Sequence, residues 1–246
     1  MGNSSKVLGV IPARLDSKRL PRKLLRDIAG KPMLYWVYRN ASRSQSLSSL
    51  LVATESDEVM SYCQQEGIPV TMTGRHPSGS DRLNEVMERT DADIYVNIQG
   101  DEPMLRPEQL DLLLAPLLAG EAQVATLKVA VDLAAALDPN NVKVVTDFQG
   151  RALYFSRHPI PFDRDGLGTV QHYKHIGIYG YTRNALALFH SLPQSSLETA
   201  EKLEQLRYLQ NGVPILVVET LQDNIGVDTE ADLARVNALF AARADL

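Results

Sequence analysis

The stretch "ADIYVNIQG", residues 92–100, is apolar at nearly every position from Ile94 to Ile98 rather than at alternate ones. A strand of that kind is covered on both faces, which is the situation of a parallel sheet flanked by helices. The runs around it agree. "KVLGVIP" and "SLLVATE" precede it, and "VATLKVAV", "VKVVTD", "KHIGIYGY" and "PILVVET" follow. Between them, apolar spacing predicts helices over 32–43, 57–66, 79–89, 107–119, 183–190, 197–210 and 229–242. Strand–helix alternation through the first half of the chain predicts an α/β fold with a doubly wound, mostly parallel mixed sheet. Ligands of such sheets bind beyond the carboxyl ends of the strands, where strand order switches.

The middle of the chain breaks the alternation. "VKVVTDFQGRALYFSR" is two strand patterns around a "DFQG" turn, an antiparallel hairpin. "HPIPFDRDGLGTVQHY" then reads as an extended loop, rich in proline and glycine. The expectation is one domain over 1–246, carrying an inserted hairpin-and-loop arm at 142–173. That arm is open to two uses, as a surface for association or as a substrate lid.

With 246 residues, 44% hydrophobic and 22% charged, the chain has the composition of an ordinary globular protein. Its net charge of -5 argues against general binding to nucleic acid or anionic membranes. No stretch reaches the ~20 apolar residues of a membrane span. The N-terminus lacks a secretory signal, although Gly2 in "MGNSS" fits the loose myristoylation pattern. Cys63 is the only cysteine, so internal disulfides and cysteine metal sites are excluded and a cytoplasmic protein is expected. His76, His158, His172 and His190 lack zinc-site spacing, and no nucleophile motif occurs.

Against the acidic balance, Arg14, Lys18, Arg19, Arg22, Lys23 and Arg26 crowd behind the first strand, at the edge where a ligand would sit. Guanidinium forks and ammonium charges there suit a polyphosphate. No glycine-rich phosphate loop follows the strand, so side chains and turn N–H groups would hold the phosphates. A solvated basic loop remains the plain alternative. "NIQGDEP" ends the central strand on Asp101, and "NIGVDTEADL" places Asp228 beyond another strand. The first is equally a turn, and the second equally a helix cap.

The motifs "IPARLDSKRLPRKLL", "SGSDRLNEV", "NIQGDEPML", "ALYFSRHPIPFDRD", "HIGIYGY", "ETAEKLEQLRYLQNG" and "GVDTEADLARV" together resemble those of sugar nucleotidyltransferases that activate acidic sugars with CTP. Nearly the whole chain is covered, and the fullest match is to the cytidylyltransferases of 3-deoxy-manno-octulosonate (Kdo). The resemblance implies nucleotidyl transfer: CTP and Kdo give CMP-Kdo and pyrophosphate, for lipopolysaccharide synthesis. A related acidic sugar (8-amino-Kdo or sialic acid) is the nearest alternative, and a silent nucleotide-binding scaffold the alternative from another class.

What the resemblance implies of residues is specific. Ala13, Arg14, Arg19, Lys23, Ser78 and Gly79 would bind the nucleotide. Asp101 and Asp228 would share Mg²⁺ and, with Arg14 and Lys23, form the catalytic set. Arg82, Gln99, Arg157, His175, Glu204 and Gln205 would contact the sugar, with Arg82 projecting from a first helical turn towards its carboxylate. Each has a bland reading beside it: Arg82 a surface partner of Glu85 or Glu88, His175 a satisfied strand histidine, and Glu204 a helical partner of Arg207. A homodimer is implied around the arm. The chain departs from the family pattern at Arg22, where glycine is usual, and at Leu24, where proline is usual. Arg22 would either reshape the loop or add a phosphate contact.

Overall fold

A computed structural model describes residues 5–17 and 19–242. Gly2 and Lys18 lie outside the described residues. Packing divides the chain into two compact units, residues 1–111 with 224–246, and residues 112–223.

The first unit holds β1 (Val7–Ala13), the short pair β2 (Asp27–Ile28) and β3 (Lys31–Pro32), α1 (Met33–Ala41), β4 (Ser49–Thr54), α2 (Asp57–Gln65), β5 (Val70–Met72), α3 (Gly79–Arg89) and β6 (Ile94–Asn97). β1 pairs in parallel with β4 on one side and β6 on the other, and β4 pairs in parallel with β5. The central-strand reading of "IYVNI" holds: Ile94, Tyr95, Val96, Asn97 and Ile98 are all buried. Because β4 and β5 follow β1 outward in one direction and β6 lies in the other, strand order switches between β1 and β6. A crevice therefore opens at their carboxyl ends. Side chains start the helices here, with Ser56 capping α2 and Ser78 capping α3.

α4 (Pro107–Leu118) leads into the second unit, with β7 (Val124–Val131), α5 (Leu133–Leu137), β8 (Lys143–Thr146), β9 (Ala152–Ser156), β10 (His172–Thr182), α6 (Arg183–Ser191), α7 (Ser196–Glu201), α8 (Leu206–Gln210) and β11 (Leu216–Thr220). β10 runs antiparallel to β7, and β11 runs parallel to it. β8 and β9 form the expected antiparallel hairpin, closed by Gly150 N–H donating to the Asp147 carbonyl at 3.1 Å. α9 (Glu230–Ala241) returns to the first unit.

The helix expected over 197–210 is a correction: it is two helices, α7 and α8, parted at Lys202. That residue adopts the left-handed conformation (φ 56°), which ends a helix. Arg207 reaches back across the break to Glu198 at 2.6 and 2.8 Å. Leu203 and Leu206 are buried at this break, while Leu197 and Leu209 are half-buried.

Candidate active site

The basic loop leaves β1 at Ala13, which is fully buried, and turns back at Arg22. Arg22 has φ 56° and ψ 31°, the left-handed region that favours glycine. The usual family residue thus marks a real backbone demand, and this chain meets it with arginine. Its guanidinium pairs with Glu58 on α2, so it serves the loop's anchorage rather than the carboxylates below. Arg22→Gly is expected to change stability by no more than about 1 kcal/mol, the relief of the left-handed backbone offsetting a surface ion pair. Arg22→Val should instead cost about 1–2 kcal/mol. Urea unfolding of the two variants checks this.

Residues Lys23–Leu25 form a 3₁₀ turn, with Leu25 N–H donating to the Arg22 carbonyl at 2.9 Å. Leu24 is buried and seats the turn against Gly100. A Cβ on that glycine would stand 3.2 Å from both Leu24 Cδ2 and the Pro12 carbonyl oxygen. Glycine after β6 therefore lets the loop behind β1 pack closely on the turn that carries Asp101.

Asp228 arrives from the far end of the chain. The backbone N–H of Val227 donates to the Asp101 carbonyl at 2.9 Å, tying the two turns together. Asp228 is not the cap of the following helix. Thr229 is the N-cap of α9 and forms a reciprocal capping box with Asp232, leaving the Asp228 side chain to point elsewhere.

Lys23 Nζ lies 2.6 Å from Asp101 Oδ2 and 2.9 Å from Asp228 Oδ1, and Arg19 reaches Asp228 Oδ2 at 2.8 Å. One ammonium thus holds both carboxylates, and their oxygens lie within two hydrogen-bond lengths of each other. Burial pulls the Lys23 pKa down, but the pull of Asp101 and Asp228 prevails and the net shift is upward. Arg14 is exposed at the start of the same loop. Among the described residues no group of three or more His, Cys, Asp or Glu side chains forms a metal cluster.

Ser78 and Gly79 open α3 at the same strand edge. Ser78 Oγ accepts from Asp81 N–H at 3.2 Å and donates to the Asp81 carboxylate at 2.8 Å. A Cβ on Gly79 would lie 3.5 Å from Pro12 of β1 and from Asn97 of β6. Gln99 is half-buried in the turn after β6, its carbonyl accepting from Glu102 N–H at 3.3 Å. Asn97 is a further candidate that the sequence analysis does not single out. It is buried, its carboxamide oxygen has no partner among the described residues, and it sits against Gly79. A polar residue inside the apolar run was the signal.

Arg82 is a correction to the reading that made it a surface partner of Glu85 or Glu88. It is 3% exposed and paired with Glu55 just beyond β4. It also donates to Thr73 Oγ1 and to the Gly74 carbonyl. The first turn of α3 faces inward here, and the guanidinium is satisfied by a carboxylate of the chain itself. Glu85 is engaged by His76 and Arg89.

The remaining sugar candidates lie in the second unit. Arg157 follows β9, where its Nε donates to the Glu201 carbonyl at 3.0 Å and Nη1 to the Pro139 carbonyl at 3.1 Å. Glu204 and Gln205 are half-buried in the turn between α7 and α8. His175 is buried, edge-on to Phe155 and tilted against Tyr179. Its Nε2 lies 2.9 Å from Thr126 Oγ1, which is also within bonding distance of the Ile176 and Ile178 carbonyls at the bulge in β10. With the hydroxyl proton given to a carbonyl, Thr126 accepts from His175, and the imidazole is neutral with its proton on Nε2.

Burial, with a smaller contribution from Lys174, pushes the His175 pKa down to about 3. The unfolded chain takes up this proton below about pH 6.5, and the folded chain does not until about pH 3. The stability linked to His175 is therefore whole above pH 6.5 and is lost as pH falls, by about 1.4 kcal/mol per unit. His175→Gln, which keeps a donor for Thr126 without titrating, should flatten the urea-midpoint profile between pH 6.5 and 4.5. An unchanged slope would remove His175 from the buried-neutral role.

Comparison with known proteins agrees with this geometry. A cytidylyltransferase family model matches residues 8–219. The 3-deoxy-manno-octulosonate cytidylyltransferase of Acidobacterium capsulatum is 52% identical, over 98% of this chain and 99% of that protein. Its counterpart from Geobacter sulfurreducens is 47% identical, over 94% and 97%. Among solved structures, a CMP:2-keto-3-deoxy-manno-octonic acid synthetase complexed with CTP superposes with a TM-score of 0.92 at 45% identity, covering 96% of this chain and 99% of that one. The mixed, mostly parallel α/β architecture is thus the nucleotidyltransferase fold. By the span of the family match and the closeness of these relatives, the chain belongs to the cytidylyltransferase family, among the 3-deoxy-manno-octulosonate cytidylyltransferases.

Proposed function

We propose that the protein transfers CMP from CTP to the anomeric hydroxyl of Kdo, giving CMP-Kdo and pyrophosphate, with Mg²⁺ as the metal. One observation carries the site assignment: Asp101 and Asp228, far apart in the sequence, converge on a single cation at the edge where the basic loop leaves β1. Two aspartates are the hard oxygen donors that Mg²⁺ takes, and this ion needs only one or two protein carboxylates. When bound there it supplies positive charge to phosphate oxygens and lowers the pKa of a coordinated hydroxyl.

The chain's own residues do the rest. Arg14, Arg19 and Lys23 neutralise the triphosphate, and the N–H groups at Ser78 and Gly79 face the nucleotide from the start of α3. Alignment and charge neutralisation dominate such a step, which asks for no side-chain nucleophile. Gln99, Arg157, Glu204 and Gln205 are the proposed sugar contacts. Arg82 and His175 belong to the same proposed sugar set, each also bonded within the fold, to Glu55 and to Thr126. Pyrophosphate release with CTP, Mg²⁺ and Kdo, set against other nucleotides, 8-amino-Kdo and sialic acid, tests the assignment. Equal release with sialic acid would overturn the sugar.

A homodimer built through the second unit fits the exposed Phe148, Leu153, Phe162 and Leu167 of the hairpin and loop. Sedimentation of Leu153→Asp against the native chain tests it, a dimer for both variants counting against this face. A cytoplasmic setting suits a reaction that consumes CTP. It also suits Cys63, whose buried thiol is pushed up to about 11 and held unreactive.

A further inference from the structure

We propose that Lys23 is the resident cation of the nucleotide-free enzyme, holding the place between Asp101 and Asp228 that a divalent ion must take. This rests on the reading of those two aspartates as the metal site. The Lys23 side chain is 13% exposed while those of Asp101 and Asp228 are 31% and 45%, so the ammonium sits on the inner side of the pair. It spends two of its three donors there. Arg19 takes the outer oxygen of Asp228. Two carboxylates thus face two cations, and the cluster is balanced without metal.

Adding a doubly charged ion to a balanced cluster is opposed unless a cation leaves or an anion arrives. A nucleotide's triphosphate provides that anion, and it offers Lys23 phosphate oxygens in place of the aspartates. The move asks little of the backbone. Leu24 anchors the 3₁₀ turn against Gly100, while the lysine's four-carbon stem rotates above it. Lys23 is therefore a two-position residue, on the carboxylates when the site is empty and on phosphate when it is filled. Metal entry follows or accompanies the nucleotide.

The test is a Mn²⁺ titration of the nucleotide-free protein, with unbound Mn²⁺ read by electron paramagnetic resonance. Lys23→Gln should bind Mn²⁺ about tenfold or more tightly than the native chain, since the ion no longer displaces charge-assisted hydrogen bonds. Arg14→Gln removes a charge from the same loop without emptying the place, and should stay within about twofold. Mn²⁺ should also raise the melting temperature of Lys23→Gln more than that of the native protein. No tightening in Lys23→Gln, or equal tightening in Arg14→Gln, would overturn the resident-cation role. A gain that survived Asp101→Asn in the Lys23→Gln background would put the ion elsewhere. The metal-site reading itself would then fall.

Discussion

Asp228→Asn is expected to fold as the native chain does and to lose on the order of a hundredfold or more in turnover. The folding half of that expectation comes from how α9 begins. Thr229 and Asp232 close the capping box on their own, and the Asp228 contribution to it is a backbone N–H donating to Asp232 at 3.1 Å, which the substitution keeps. The side chain's ion pairs are with Lys23 and with an exposed Arg19, and the Arg19 pair is worth at most about 1 kcal/mol. The turnover half comes from charge. Asparagine preserves shape but removes the anion that makes this edge attractive to a divalent ion. Asp101→Asn should behave alike. If both carboxylates serve one ion, the double variant should lose little more than either single one, because groups that act as a unit are not additive. Near-native turnover of Asp228→Asn at saturating Mg²⁺, with an unchanged melting temperature, would sink the assignment. So would losses that multiply in the double variant.

The reach of the sequence differed from residue to residue for physical reasons. The apolar run "IYVNI" suits a strand covered on both faces, and the burial of all five residues bears that out. The basic cluster was legible because its charges contradict the chain's own balance and follow a strand end. The family's usual glycine at Arg22 left two readings open, a reshaped loop or a phosphate contact, and the left-handed backbone there is visible only in the structure. Pairings across long separations were not legible. Nothing near Arg82 in the sequence announces Glu55, and the spacing to Glu85 and Glu88 offered a nearer partner that the inward turn of α3 denies it. The leucines of 197–210 suit one helix as well as two, and the break is a backbone event at Lys202 without a glycine to mark it. Asp101 and Asp228 had a motif each, but their convergence depends on Val227 pairing with the Asp101 carbonyl, a contact visible only in three dimensions.

Lys143→Met is expected to cost the second unit about 1–3 kcal/mol of stability, through part-buried backbone carbonyls left without their donor. Lys143 is completely buried at the first position of β8, yet no carboxylate among the described residues bonds its ammonium. Its three donors go to backbone carbonyls, those of Asp138 at 3.0 Å, Asn141 at 2.5 Å and Arg157 at 2.6 Å. The lysine thereby fastens the chain entering the hairpin to the chain leaving it. Burial lowers its pKa, as expected for an ammonium removed from water, and the carbonyl dipoles are what keep the charge tolerable. Methionine fills the space and removes the charge, so packing is largely retained while the carbonyls lose their donors. Arginine is the useful counterpart. It keeps the charge and donors in a larger, planar group, and should recover part of the loss at the cost of crowding. Urea unfolding of the three proteins reads this directly. The proposed role of Arg157 adds a second measurement, because its own carbonyl is one of the three acceptors and its guanidinium rests on Pro139 beside the same knot. Lys143→Met should raise the KM for Kdo more than that for CTP at a temperature where it remains folded. Equal stability in the methionine variant would show that these carbonyls find other donors. An equal rise in both KM values would detach the knot from the sugar.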